Sequence, residues 1–370
     1  MKRIILCLII LITTITLSGF TYYLTPSATD IVFGLSSGGA NIWNRNPLGV
    51  WSNPAKLGYF EGISLGFSYD PWMEKYFDNN SYSASYITIG MKGIGIMLPM
   101  VNYHSKFGYN FEISDDVYDA DGNFLFKYDY HAYNSEFALG INIIKFCNNL
   151  NNNELFDEIE HFSDLSLGYN YDLTYNQLYR GYIELSHEKL DYAGGFGMIW
   201  RISPLNQLNY LDYGYIKADL ITSLYFCGIT SEYFNSTNTA VSLRLALDKE
   251  IMKQKLDTAT YNLFSDFSSN FVSVYASYDK IDEEVYDHSG YGFEFTILDI
   301  FSIRTGKDSD ESEIFTGWGI NLRYKEIFQL QMNQAKFSWG TLQKFQNKTD
   351  FMLNINFLNL MKMESQKRIL

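Results

Sequence analysis

The sequence predicts an all-β protein, a transmembrane antiparallel β-barrel of roughly 14 strands with a short N-terminal plug-like segment. Three observations predict it. Apolar and polar residues alternate with a period of two in segment after segment, which puts them on opposite faces of a strand. Aromatic residues make up 17% of the chain and recur along its whole length, as suits positions that are apolar on one side and wet on the other. Hydrophobic residues reach 46% yet are dispersed: beyond the start, no run approaches the ~18 consecutive apolar residues of a membrane-spanning helix.

Taken in chain order, residues 1–19 read as a secretory signal peptide. Lys2 and Arg3 form a basic start, Ile4 to Leu17 is an apolar run broken only by threonines, and small residues follow at Ser18 and Gly19. An uncleaved anchor is the alternative, but the run has the size of a signal core. The net charge of −14 becomes more negative once Lys2 and Arg3 are lost, so nucleic acid is not an expected partner. Cys7 falls in the signal; Cys147 and Cys227 are expected as two unpaired apolar side chains rather than a disulfide framework.

Residues 20–61 form an N-terminal segment expected to plug the barrel, rich in Gly, Asn and Trp from Asp30 to Gly58. Asn53, Pro54 and Ala55 are its candidate plug motif, since Pro fixes φ and Asn caps a local turn. Turn chemistry alone is equally satisfied by a plain turn before the first strand.

Residues 62–360 are expected to form the barrel, and residues 361–370 a polar, basic C-terminal tail. Phe137, Leu139, Ile141 and Ile143 alternate with Glu136, Ala138, Gly140 and Asn142. Leu165, Leu167, Tyr169, Tyr171 and Leu173 alternate with Asp164, Ser166, Gly168, Asn170 and Asp172. Val241, Leu243, Leu245 and Leu247 alternate with Ala240, Ser242, Arg244, Ala246 and Asp248; Phe351, Leu353, Ile355 and Phe357 alternate with Met352, Asn354 and Asn356. Such runs approach the roughly 9 to 11 residues with which a tilted strand crosses a bilayer, longer than the roughly 5 to 6 of a soluble sandwich strand. Asp121-Gly122 reads as a tight hairpin turn, and Asn148–Asn153 and Asp308–Glu313 as solvated loops. Pro204 alone follows Pro99, as a closed hydrogen-bond ladder requires. Leu155, Ile159 and Phe162 fall at helical spacing, which predicts a short amphipathic helix over Glu154 to Phe162.

Catalytic, cofactor and metal assignments are all none. The five histidines, at 104, 131, 161, 187 and 288, show no paired ligand spacing. Asp115, Asp116, Asp119 and Asp121 could gather a calcium ion, but Gly122 comes one place too early for an EF-hand, so an acidic loop is the better reading. His288-Ser289-Gly290 reads as a turn before a strand rather than a hydrolase site. The candidate lumen-facing charges are Arg244, Asp248, Glu294 and Arg304, because a charge turned to lipid costs roughly 2–4 kcal/mol at the midplane. Pairing among themselves is their default role, selection of a solute the alternative.

Three phrases carry a family resemblance. Gly38-Gly39-Ala40 is followed by Trp51-Ser52-Asn53-Pro54-Ala55-Lys56-Leu57-Gly58; His161 to Tyr171 reads HFSDLSLGYNY; Gly290 to Leu322 runs from a Gly-x-Glu strand through Arg304-Thr305-Gly306 to a Gly-x-Gly strand. In this order they resemble the outer-membrane barrels related to the long-chain fatty-acid transporter FadL, in particular the PorV/PorQ-type branch. Ser166 stands where that group more often has Gly, and the chain runs on past Phe357, where such barrels often end. The resemblance implies a monomer in the cell outer membrane of a Gram-negative-type envelope, in contact with outer-membrane lipid. It further implies either passage of a hydrophobic ligand or an accessory role in secretion with secreted proteins as partners. The rival class is a secreted or surface-bound non-enzymatic β protein, an adhesin or structural layer.

Overall fold

The computed structural model describes residues 42–43, 46–70, 81–101, 108–118, 123–151, 156, 159–160, 162–180, 183–184, 189–204, 216–229, 235–253, 256–283, 287–309, 314–339 and 343–361. The expected signal peptide (1–19), the Asp121-Gly122 turn and most of the expected tail lie outside the described residues.

Sixteen strand segments follow two 3-10 turns, Pro47–Ser52 and Pro54–Tyr59. They are β1 (Gly62–Asp70), β2 (Ser81–Met91), β3 (Ile94–Pro99), β4 (Gly108–Tyr118), β5 (Phe124–Asn142), β6 (Ser163–Arg180), β7 (Ile183–Glu184) and β8 (Lys189–Ile202). β9 (Ile216–Ile229), β10 (Asn235–Asp248), β11 (Asn270–Glu283), β12 (Asp287–Ile297), β13 (Phe301–Asp308), β14 (Phe315–Tyr324), β15 (Phe328–Trp339) and β16 (Gln343–Ile355) complete the wall. β3 and β4 run end to end between the same two neighbours, β2 and β5, and β7 only extends the β6–β8 hairpin. The result is a closed antiparallel barrel of 14 strands. β1 pairs with β16, with Leu65 opposite Leu353, so no edge is left open.

The polarity of the wall is inside out. Val241, Leu243 and Leu245 point outward and are exposed, as are Val274, Phe293, Phe295 and Ile303, while Ser242, Ser273, Ser277, Arg304, Asn333 and Asp350 point inward and are buried. An apolar exterior over a polar interior requires a hydrocarbon surround. Among the described residues no helix is long and apolar enough to cross a membrane.

Helices occur at the barrel end where β1 starts and β16 finishes. They are α1 (Ile143–Asn151), α2 (Glu250–Lys253) and α3 (Thr258–Phe267). Two expected strand ends are corrected here. Ile143 opens α1 because the Asn142 side chain accepts from the Lys145 amide (3.0 Å), and Phe357 opens a last helical turn that Asn356 caps by accepting from the Asn359 amide (3.2 Å). The expected loop at Asn148 is likewise helical, through Asn151, and His288-Ser289-Gly290 lies within β12 rather than in a turn. Of the expected helix from Glu154 to Phe162, residues Phe156, Ile159, Glu160 and Phe162 are helical and the others lie outside the described residues.

Candidate functional site

The lumen is filled from the N-terminal side. Residues Asn46 to Gly58 are buried inside the barrel, and the wall beneath them is cut to receive them. Gly90, Gly95, Gly140, Gly168 and Gly197 stand directly opposite one another across β2, β3, β5, β6 and β8, forming one row without side chains. The segment from Asn53 to Phe60 rests in that trough. A Cβ at Gly168 would lie 2.3 Å from the amide nitrogen of Ala55, and one at Gly95 2.3 Å from the carbonyl oxygen of Leu57. Backbone lies on backbone, the close approach for which a strand interior keeps glycine.

Asn53 is where the motif grips the wall. Its Oδ1 accepts from the Ala55 amide (2.9 Å), capping the second 3-10 turn, while its Nδ2 donates to Ser223 Oγ (2.8 Å) and the Leu224 carbonyl (3.2 Å) on β9. Pro54 occupies the first position of that turn, where its fixed φ fits and no N–H is needed. Ser166 donates to the Ala55 carbonyl at 2.6 Å, which gives a local reason for Ser rather than Gly at that position. Towards the far end, Leu48, Val50, Trp51 and Phe60 join Tyr86, Phe315 and Phe337 in an apolar cluster across the lumen. Lys56 is buried within the segment, donating to Gly49 O (3.0 Å) and Ser52 Oγ (2.8 Å).

The wall changes partner beside this cluster, without a gap along β2, where the Met100 amide donates to the Ser85 carbonyl at 2.9 Å, and with a skip of three residues along β5. β2 pairs with β3 as far as Tyr86 opposite Pro99, then with β4 from Ser85 opposite Gly108, and the Gly108 amide donates back to the Met100 carbonyl at 2.8 Å. β5 makes the same change, from β3 at Ala138 to β4 at Asn134. On the outer face, where β2 changes partner, lies a groove of about 360 Å³ bordered by Phe67, Tyr69, Ser83, Ala84, Ser85 and Phe351. On the inner face stand Glu136 and Asp172, opposite each other and buried, both accepting from Asn170 Nδ2 (2.9 and 3.2 Å).

Towards the end where β1 starts, the lumen widens into a polar cavity of about 460 Å³. Its wall carries a charged belt, one row in register from β9 to β13 and a second pair, offset by two residues, on β6 and β8. Asp164 faces Arg201, Asp219 faces Arg244, Arg244 faces Tyr275, Tyr275 faces Glu294, and Glu294 faces Arg304. Arg201 bridges Asp164 (2.6 Å) and Asp219 (3.9 Å), and Arg304 pairs with Glu294 and donates to Asn333 Oδ1 at 2.9 Å. Asn333 passes the network on, donating to Asp350 at 2.8 Å.

Of the four charges singled out from the sequence, Arg244, Glu294 and Arg304 line this cavity. Asp248 ends β10 beyond a bulge; it pairs with Lys217 (2.5 Å) and caps α2 through the Glu250 amide (3.0 Å). Cys147 is unpaired on α1. Asp115 and Asp116 fall in β4 rather than in a loop, and Asp119 and Asp121 lie outside the described residues. Gly62-Ile63-Ser64-Leu65-Gly66 has the spacing of a hydrolase elbow, but it runs inside β1 with Ser64 buried and accepting from Asn354, not at a strand-to-helix turn. The glycine row, Trp43 and the paired carboxylates Glu136 and Asp172 were not singled out; an isolated Gly inside each alternating strand was the available signal for the first.

No protein-family model matches the sequence, and no curated protein matches it. Among solved structures, the chain is similar to the toluene transporter TbuX of Ralstonia pickettii, with 10% identity, 92% of this chain and 99% of that chain covered, and a TM-score of 0.48. It is also similar to the toluene transporter TodX of Pseudomonas putida, with 8% identity, 91% and 97% covered, and a TM-score of 0.41.

Proposed function

We propose that this barrel sits in a bacterial outer membrane and passes a hydrophobic small molecule sideways through its wall, at the break between β3 and β4. The observation that carries the reading is the coincidence of that break with the apolar outer groove at Phe67, Tyr69 and Phe351. The axial route is filled by the buried segment from Asn46 to Gly58, so an apolar solute gathered from the lipid has its shortest way in at the join of β3 and β4, where the register along β5 skips residues 135–137. Just inside, Trp51, Tyr86 and Met97 offer apolar surface continuous with the luminal cluster. Asn53, Pro54 and Ala55 act in this scheme as the plug that holds the axial path shut.

The test uses the full chain in detergent and in liposomes, with phenylnaphthylamine as an apolar fluorescent probe. Ser85→Trp, which fills the groove, is expected to weaken probe binding severalfold, and deletion of residues 102–107, which joins β3 to β4, is expected to stop probe entry while the unboiled protein still runs as a compact band. Unchanged entry in both variants sinks the lateral route. Co-purification of secreted chains in place of apolar ligand favours the accessory role in secretion that the PorV/PorQ-type resemblance implies, and release of the native chain by carbonate without detergent favours a surface-bound β protein.

A further inference from the structure

Among the described residues, every cation lining the cavity but one holds a carboxylate. Six cations line the cavity: Lys145, Arg201, Lys217, Arg244, Arg304 and Arg323. Five hold a carboxylate. Lys145 pairs with Glu61, Arg201 with Asp164 and Asp219, Lys217 with Asp248, Arg304 with Glu294, and Arg323 with Glu326. Arg244 has no carboxylate at ion-pair distance among the described residues; its guanidinium instead lies over the Trp43 ring, 4.6 Å from the centroid, and Trp43 is braced edge-on by Tyr275 at 6.0 Å.

Asp299, Asp219 and Glu294 act on Arg244 only from beyond ion-pair distance, and the carboxylates of the cavity take their hydrogen bonds elsewhere. Asp164 accepts from Tyr59 and pairs with Arg201; Asp219 accepts from Ser203; Glu294 holds Arg304 and accepts from Thr296 at 3.3 Å. Glu160 accepts from Asn148 at 2.9 Å, and Asp299 from the amides of Ser269 and Asn270, both at 2.8 Å. A guanidinium stacked on one face by an indole keeps its in-plane N–H fork free, and that fork matches two oxygens of a planar anion. It faces a cavity with room for several heavy atoms and with a lining of charged, amide and hydroxyl groups.

We propose that Arg244, stacked on Trp43, anchors a binding site for a small hydrophilic carboxylate in this cavity. The site is a second one, distinct from the lateral path by place and by ligand chemistry, and it stands whether or not an apolar molecule crosses the wall. The belt then has two duties: its closed pairs keep the lumen wall rigid, and Arg244, the one cavity cation without an ion pair among the described residues, receives the solute.

The experiment is calorimetric titration of the detergent-solubilised full chain with succinate, and separately with inorganic phosphate, at constant ionic strength so that general screening is equal. Saturable succinate binding is expected, weakened at least tenfold in Arg244→Gln and unchanged in Lys325→Gln, whose partner Asp266 lies outside the cavity. Should Arg244→Gln fail to give a compact unboiled band, Trp43→Leu provides the same test: it leaves the strands intact and is expected to weaken succinate severalfold. Saturable phosphate binding without succinate binding overturns the carboxylate assignment. No saturable binding of either, or equal binding in both site variants, overturns the site.

Discussion

From β2 to β8 the inward positions include a row of glycines and the buried segment lies directly on the strands; from β9 to β13 the inward row carries Asp219, Arg244, Tyr275, Glu294 and Arg304 and faces a cavity. Both stretches solve one problem, since a barrel of this size encloses more space than its own side chains fill. The first removes side chains so that a second piece of backbone can enter. The second keeps long charged side chains and lets them neutralise one another. The outcome is a lumen filled at one level and open as a polar cavity at another within the same wall.

Substitution of glycine on each side gives the largest expected contrast. Gly168→Val sets branched carbon against the backbone of Pro54 and Ala55, neither of which can turn aside, and is expected to cost more than about 3 kcal/mol or to expel the segment. Gly319→Ala meets the ends of flexible side chains, Asn333 Oδ1 at 2.5 Å and Arg304 Nη1 at 2.8 Å, and is expected to cost less than about 1 kcal/mol. Urea unfolding in liposomes reads the cost, and single-channel recording reads expulsion, which opens an ion path. Equal effects at the two positions would dissolve the distinction between the halves.

The charged side owes its inward charge to an apolar outside. Leu243→Arg moves a guanidinium one residue from Arg244 and onto the exposed outer face, with an expected cost of about 2–4 kcal/mol in a bilayer. The same variant in mild detergent micelles is expected to lose less. A cost below ~1 kcal/mol in the bilayer would mean that this face does not meet hydrocarbon. On the segment side, Asn53→Ala removes the cap of the 3-10 turn and leaves Ser223 and the Leu224 carbonyl without their donor, for about 1–3 kcal/mol. Faster proteolysis within residues 46–60, with the barrel still compact, is the expected signature; a barrel and segment lost together would mean that they fold as one unit.

The wall was legible because period two is a local property: Leu243 beside Arg244 shows which way each points without knowledge of any neighbour. Strand ends were less so. Asn142 and Asn356 each occupy the next polar place in an alternating run and also cap a helix, so alternation read Ile143 and Phe357 as one strand residue further. The glycine trough was hidden for another reason. Gly90, Gly95, Gly140, Gly168 and Gly197 become a row only through register, and register is set by pairing between strands, not by any one of them. Glu294 and Arg304 could be matched across a short hairpin, but that Arg244, among the described cations of the cavity, has no ion pair depends on where the carboxylates are spent.

The smallest expected effect concerns the helical excursion between β10 and β11, the main departure from strand in the regular half. Asp257 precedes α3 and caps it: its Oδ1 accepts from the amides of Ala259 (3.1 Å) and Thr260 (3.0 Å), and its Oδ2 from the Thr260 hydroxyl (2.6 Å). The Thr260 hydroxyl, followed by the Thr260 amide, holds the carboxyl below its usual range. A lowered value in the fold means that the cap stabilises the helix above the ordinary carboxylate range and loses that contribution as pH falls through the lowered value. Hydrogen exchange of the Ala259 and Thr260 amides is therefore expected to quicken, beyond the intrinsic pH effect, as pH falls below the ordinary aspartate value of about 3.9, and Asp257→Asn, which keeps an acceptor, is expected to abolish that dependence while β10 and β11 stay protected. If the wall loosens with the cap, the excursion is part of the barrel's cooperative unit; if only α3 responds, the regular half carries its helices as appendages, in contrast to the other half, where the segment from Asn46 to Gly58 is built into the wall.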